Sequence, residues 1–282
     1  MADHAGETVA ETTRRLQAES AGTTPAAKKR GRPSVVFTIV LVAIIVGGVV
    51  IAGIAGTVSS LSGPDGPLAD DWSRYPGTYS TDPREVLASA SKEEVLDDVY
   101  ALQEEFRDRL RDEYGFIWIQ DYPERIEPED NGYGGESMLV QYDSGNWATT
   151  VPITDYDLKL EVLDVIDEVL AEYEFWSMIA FNEPSSGFDP AYIERLYGSA
   201  NPRTQSLWES YTDNDPGPIL FYATISDLTH DDDGRFRAAR EGQVAGTQEP
   251  IEGLLISVLI PEVLSEADVE EFQRRMEDYP GG

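Results

Sequence analysis

The chain has no cysteine and only two histidines, His4 and His230, in 282 residues. The first absence excludes disulfides, thiolate metal sites, a cysteine nucleophile and a lipid-bearing cysteine anchor. The second excludes a zinc site built from several imidazoles and leaves His230 as the one histidine beyond the N-terminal region. Positive charge is scarce as well. Twenty-one basic residues, only four of them lysine, face 53 acidic ones, for a formal charge of -32. A surface so acidic repels nucleic acid, which is therefore not an expected partner. Neither a GxSxG elbow nor an HExxH helix occurs, so no nucleophile or metalloprotease motif marks a reaction. Hydrophobic residues nonetheless make up 41% and aromatics 10%, enough for a packed core rather than an acidic coil.

One long run lacks charge altogether. The 24 residues from Val35 to Val58 contain no ionisable side chain, and as a helix rising 1.5 Å per residue they span about 36 Å, enough to cross a hydrocarbon core. Lys28, Lys29, Arg30 and Arg32 abut its start, while Asp65, Asp70, Asp71, Asp82 and Glu85 follow it against only Arg74 and Arg84. That asymmetry predicts a cytoplasmic N-terminus and an extracellular C-terminal domain at the cell membrane. Arg30-Gly31-Arg32-Pro33 matches the core of an AT-hook, which inserts arginines into a narrow minor groove. Its position against the apolar run favours the stop signal. The run also exceeds the 7–15 apolar residues of a cleaved signal peptide, despite small residues at Gly53-Ile54-Ala55, so an uncleaved signal anchor is expected. Gly48, Ala52 and Gly56 recur every four residues, a spacing that allows close helix approach and hence a homodimer through the membrane helix.

Composition divides the rest. Residues 1–34 are rich in Ala, Thr, Glu and Gly and read as a disordered cytoplasmic tail. Residues 59–90, full of Ser, Gly, Pro and Asp, read as an extracellular linker. An acidic ectodomain then runs over 91–282. Its first helix opens with the capping box Ser91–Glu94 and carries the stripe Val95, Val99, Leu102, Phe106, Leu110, with Gly115 as a stop. FIWIQ (116–120) reads as a strand, and SMLVQY (137–142) and WATTV (147–151) flank Asp143-Ser144-Gly145-Asn146 in a hairpin pattern. A second helix is expected from Thr154, with Asp157 as capping partner and Leu158, Val162, Ile166 and Val169 on its apolar face. Strands follow at 175–181, 219–225 and 254–260. A short helix is capped by Asp189 with Pro190 at its first position. A last helix starts at Ser265 with Asp268 as capping partner. This order predicts an α+β two-layer domain with a mixed or antiparallel sheet and helices mainly on one face.

The segment Asn131-Gly132-Tyr133-Gly134-Gly135-Glu136-Ser137-Met138-Leu139, followed by Tyr142, Ser144 and Trp147, resembles a pattern in actinobacterial membrane-anchored envelope and lipoprotein-type ectodomains. The resemblance covers residues 91 to 180 and implies an exported envelope domain, with no catalytic residue to carry over. Here the membrane helix stands in place of the lipidated cysteine.

Several clusters invite a chemical reading. Thr229-His230-Asp231-Asp232-Asp233-Gly234 is similar to part of a calcium loop, but Thr229 and Arg240 fall where an EF-hand needs a carboxylate and a bidentate glutamate. Asp227, Asp231 and Asp233 could form a looser oxygen site, against which stands an ordinary acidic turn. Glu127, Glu129, Asp130 and Asn131, and Asp213, Asn214 and Asp215, read the same way. A glycosidase-like pair needs two carboxyls about 5–10 Å apart, and among so many acids no pair can be picked. No catalytic, cofactor-binding or metal residue is therefore assigned. Aromatics are plentiful at Trp118, Tyr133, Tyr142, Trp147, Trp176, Trp208, Tyr211 and Tyr222. Tyr133, Trp208 and Tyr211, read as loop residues, are the candidates for an exposed binding face. The expected function is a non-enzymatic binding or scaffold domain for an envelope protein or wall polymer. The alternatives are a wall-modifying hydrolase with a carboxylate pair and a calcium-dependent adhesion or stabilising module.

Overall fold

The computed structural model describes residues 72–121, 123–183, 186–214 and 217–279. The expected tail, the Val35–Val58 membrane helix and its Gly48/Ala52/Gly56 face lie outside the described residues. Among the described residues no helix is long and apolar enough to cross a membrane.

The domain is α+β with an antiparallel sheet. Helix α1 (Pro83–Ala88) leads into α2 (Lys92–Tyr114), where Ser91 and Glu94 make both bonds of the capping box and Gly115 ends the helix at φ 70°. A left-handed backbone is cheap there only for glycine. Val95, Val99, Leu102, Phe106 and Leu110 are all buried, as their spacing requires. Strands β1 (Trp118–Gln120), β2 (Arg125–Asp130), β3 (Glu136–Asp143) and β4 (Trp147–Thr149) precede α3 (Tyr156–Glu172). The α3 cap is Asp155, whose carboxylate accepts from the Leu158 N–H at 2.9 Å, one residue beyond the expected Thr154. Then come β5 (Ile179–Ala180), α4 (Pro190–Tyr197), β6 (Leu207–Asp213), β7 (Leu220–Ser226), α5 (Arg235–Gln243), β8 (Gly253–Val263) and α6 (Val269–Met276). Asp189 caps α4 with Pro190 in the first turn. Ser265 is the N-cap residue of a short 3-10 turn, Glu266–Asp268, that leads into α6, but its side chain makes no cap bond; its hydroxyl donates to Glu93 at 2.7 Å and so ties the chain before α6 to the start of α2.

The hairpin expected at Asp143-Ser144-Gly145-Asn146 is not one. Tyr142 and Asp143 pair with Ile260 and Leu259, and Trp147 and Ala148 pair with Ile256 and Leu255. β3 and β4 therefore run in line along one edge of β8, with one extra residue between them, a bulge. Ser144 fills the gap: its N–H donates to the Val258 carbonyl at 3.0 Å and its hydroxyl accepts from the Val258 N–H at 2.9 Å. Gly145, at φ 68°, supplies the same left-handed backbone that a tight turn would use. β1 and β2 flank this broken strand in the same way, β1 on β4 and β2 on β3. The chain then crosses through α3 to the far edge and returns by β5, β6 and β7 to β8.

Side chains alternate across a strand, so the pairings define two faces. On the first, Trp208, Phe221, Ala223, Ile225, Leu254, Ile256 and Val258 pack under α2 and α3 in the main core. On the second, a smaller core joins Leu139 to Tyr75, Leu264, and Phe272 and Met276 of α6. The two long helices share one face, while α6 covers part of the other.

The expected linker is partly folded domain. Tyr75 and Thr78 are buried, α1 lies within the 59–90 stretch, and the Met138 N–H donates to the Pro76 carbonyl at 2.7 Å. Residues 72–88 form a strap across the sheet end rather than a spacer.

Candidate functional site

The second face of the sheet collects most of the chemistry, at two ends. At the strap end the controlling residue is Asn131, fully buried at the hairpin between β2 and β3. Its amide nitrogen donates to the carbonyls of Ser73 and Tyr75 at 3.1 Å and of Trp72 at 3.4 Å. Its amide oxygen accepts from the N–H groups of Tyr133 at 2.8 Å and Gly135 at 3.1 Å. One side chain thus closes the turn and fastens the strap. Gly135 is obligatory, since a Cβ there would stand 1.8 Å from the Ser73 carbonyl oxygen. Trp72, Tyr75, Tyr133 and Tyr279 form a four-ring cluster over this joint, with centroids 4.9–5.8 Å apart. Tyr133, a candidate for the binding face, is half-buried in that cluster.

Beside the joint, Glu262 accepts hydroxyl hydrogen bonds from Thr78 at 2.7 Å and from Thr81. Burial pushes its carboxyl up, and burial followed by the charge of Glu262 does the same to Glu129. Glu129 and Glu262 are thus two buried carboxyls of which the second raises the first, a juxtaposition the sequence could not single out. Strap hydroxyls cover Glu262, however, and two recesses of about 200 and 220 Å³ are lined by other residues.

The acidic loop after β7 is structural. Asp227 is fully buried and bonds Lys159 of α3 at 2.5 Å, with Thr229 donating to its other oxygen. Desolvation of Asp227 is outweighed by these partners, so its carboxyl stays below the ordinary range. Asp231 accepts from the N–H groups of Phe236 and Arg237, and Asp233 from that of Arg235, at the start of α5. Among the described residues no three acidic or histidine side chains could hold a metal ion together. Asn214 likewise organises its own turn, accepting from the Ile219 N–H at 2.8 Å.

Trp208 does not face solvent. It lies in β6, 2% exposed, with the Lys159 ammonium 5.3 Å from its ring centre. Alternation in β6 sends Glu209 and Tyr211 to the second face. There Tyr211 is half-buried between Phe181, stacked at 6.3 Å, and Tyr222 at 5.3 Å. Its hydroxyl donates to Asp213 at 2.7 Å. Ile179, paired with Tyr211 across the β5–β6 register, is 48% exposed, and Trp176 on the same edge segment is 45% exposed. Tyr211, Ile179 and Trp176 make an apolar margin on an otherwise acidic domain. Of these, sequence reasoning singled out Tyr211 as part of a binding face. Ile179 and Trp176 sit in a stretch, 175–181, that reads as a strand.

No family model, curated protein or solved structure matches the chain.

Proposed function

We propose that the chain is a single-pass, membrane-anchored envelope protein whose external domain binds or scaffolds a protein or wall polymer through the β5–β6 edge. The uncharged Val35–Val58 run behind a basic cluster supports the anchor and the outward orientation, in keeping with the envelope resemblance of residues 91–180. The single observation that carries the binding role is the exposure of Ile179 and Trp176 along this edge, with half-buried Tyr211 paired to Ile179. Exposed apolar surface on a highly charged domain marks a contact site, and flat aromatic rings suit both protein and sugar surfaces. A hydrolase reading asks for a cleft between two carboxyls, whereas the strap hydroxyls occupy Glu262 of the Glu129–Glu262 pair.

A photo-crosslinking residue at position 179 or 176 of the intact membrane protein tests the reading. It should capture a species that the same residue at exposed Glu113, on the opposite layer, does not. Identical products from all three positions would refute the assignment of this edge.

A further inference from the structure

Glu209 is an acid in a place where acids are expensive. It is 2% exposed, and its Oε2 has no hydrogen-bond partner. It lies beneath α4, whose Tyr197 is fully buried with its own hydroxyl unpartnered. Across the register Phe181, just after β5, donates its N–H to the Glu209 carbonyl, and Thr224 of β7 stands opposite, so neither of these neighbours brings a charge. From α4 come Tyr197 and, acting on Tyr197, Tyr192. The nearby cations are engaged elsewhere: Arg195 lies over the Tyr192 ring and Arg235 donates to the Glu194 carbonyl. Tyr211 and Tyr222 share the face, with Asp213 holding the Tyr211 hydroxyl. Among the described residues no cation neutralises Glu209, and an isolated carboxylate in such surroundings is strongly disfavoured.

The cover over Glu209 is slight. α4 is eight residues long and buries Ile193 and Tyr197. Its C-terminal end returns to β6 through the Ser206 N–H on the Tyr197 carbonyl at 2.8 Å, and Gln205 bonds the carbonyls of Asn182 and Ser199. We propose that Glu209 and Tyr197 form a pH-sensitive latch, which holds residues 186–206 on the sheet while Glu209 carries its proton and loosens them once the carboxylate forms. Lifting this segment lets water reach the charge and uncovers Phe181, which is buried beside it. The device concerns Phe181 and residues 186–211 and does not depend on the anchored reading.

The direction follows from proton binding. Burial pushes the Glu209 carboxyl up to about 7 in the closed form, against the ordinary 4.5 when hydrated. Between those values the closed form holds one proton more than the open form. The open-to-closed ratio therefore rises about tenfold per pH unit from 4.5 to 7 and levels off above. The Tyr197 hydroxyl close by favours the charged form of Glu209, so its loss shifts the plateau to higher pH.

Hydrogen exchange of the full chain in lipid nanodiscs, corrected for intrinsic rates from pH 4.5 to 8.5, tests the latch. Amides of 190–206 should lose protection about tenfold per unit up to pH 7, while those of α2 and β7 stay constant. Glu209→Gln should flatten the profile, and Tyr197→Phe, which keeps the ring, should move its plateau upward. A flat wild-type profile, parallel loss in α2 and β7, an unchanged slope in Glu209→Gln or an unmoved plateau in Tyr197→Phe would each overturn it.

Discussion

Replacing Asn131 with alanine should detach the strap before it unfolds the domain. The asparagine makes four hydrogen bonds of 2.8–3.1 Å to backbone groups and one longer contact of 3.4 Å to the Trp72 carbonyl. At about 1 kcal/mol net for each of the four, the ceiling is about 4 kcal/mol. Strap carbonyls that regain water on release recover part of this, which sets the expected loss at about 2–4 kcal/mol. Urea denaturation of the folded domain, followed by tryptophan fluorescence, measures the loss. Tryptic cleavage after Arg84, whose side chain is 81% exposed, reports strap release separately. Asn131→Asp retains the acceptor for Tyr133 and Gly135 but sets a carboxylate against three carbonyls, so it too should free the strap. An alanine variant within about 0.5 kcal/mol of wild type, with unchanged cleavage, would refute the clamp.

Gly135→Ala should release the strap at least as fully, since its Cβ collides with the Ser73 carbonyl; unaltered proteolysis would contradict this. Lys159→Met strands the buried Asp227 and should cost about 3–5 kcal/mol at neutral pH. Because the folded Asp227 carboxyl lies below its ordinary 3.8, its contribution is present above that value and lost as pH falls through the folded one. The gap between this variant and wild type should therefore narrow in acid, and a gap that widens would count against the pair. From residue 59 onward 49 acidic residues face 15 basic ones, so moderate sodium chloride should raise the melting temperature by screening self-repulsion, and a steady fall would show the electrostatic argument to be wrong.

Helix α2 was legible because its signals are local: a capping box, a 3.6-residue stripe and a terminal glycine lie within one segment. The Asp143–Asn146 bulge was not, because it uses the left-handed glycine of a hairpin turn. Only the pairing of both flanking strands with β8 distinguishes the two. The strap has the Ser, Gly and Pro content of a linker, and its burial depends on an asparagine some 55 residues downstream. Glu209 alternates with buried Trp208 as a solvent-facing residue would, and becomes buried only because α4 folds over it. Trp208, read as a loop residue, belongs to the core because Leu207–Asp213 is a strand whose first face packs into the main core. Where identity within a segment decides structure, sequence suffices; where a distant element supplies the cover, it does not.

Whether the domain lies outside the membrane is decided by the orientation of the C-terminus. A reporter fused after Gly282 in wall-stripped, intact cells should be active on the outside, and added protease should remove the domain while leaving a membrane-bound N-terminal fragment. A C-terminus protected in intact cells and digested only after lysis would contradict the account.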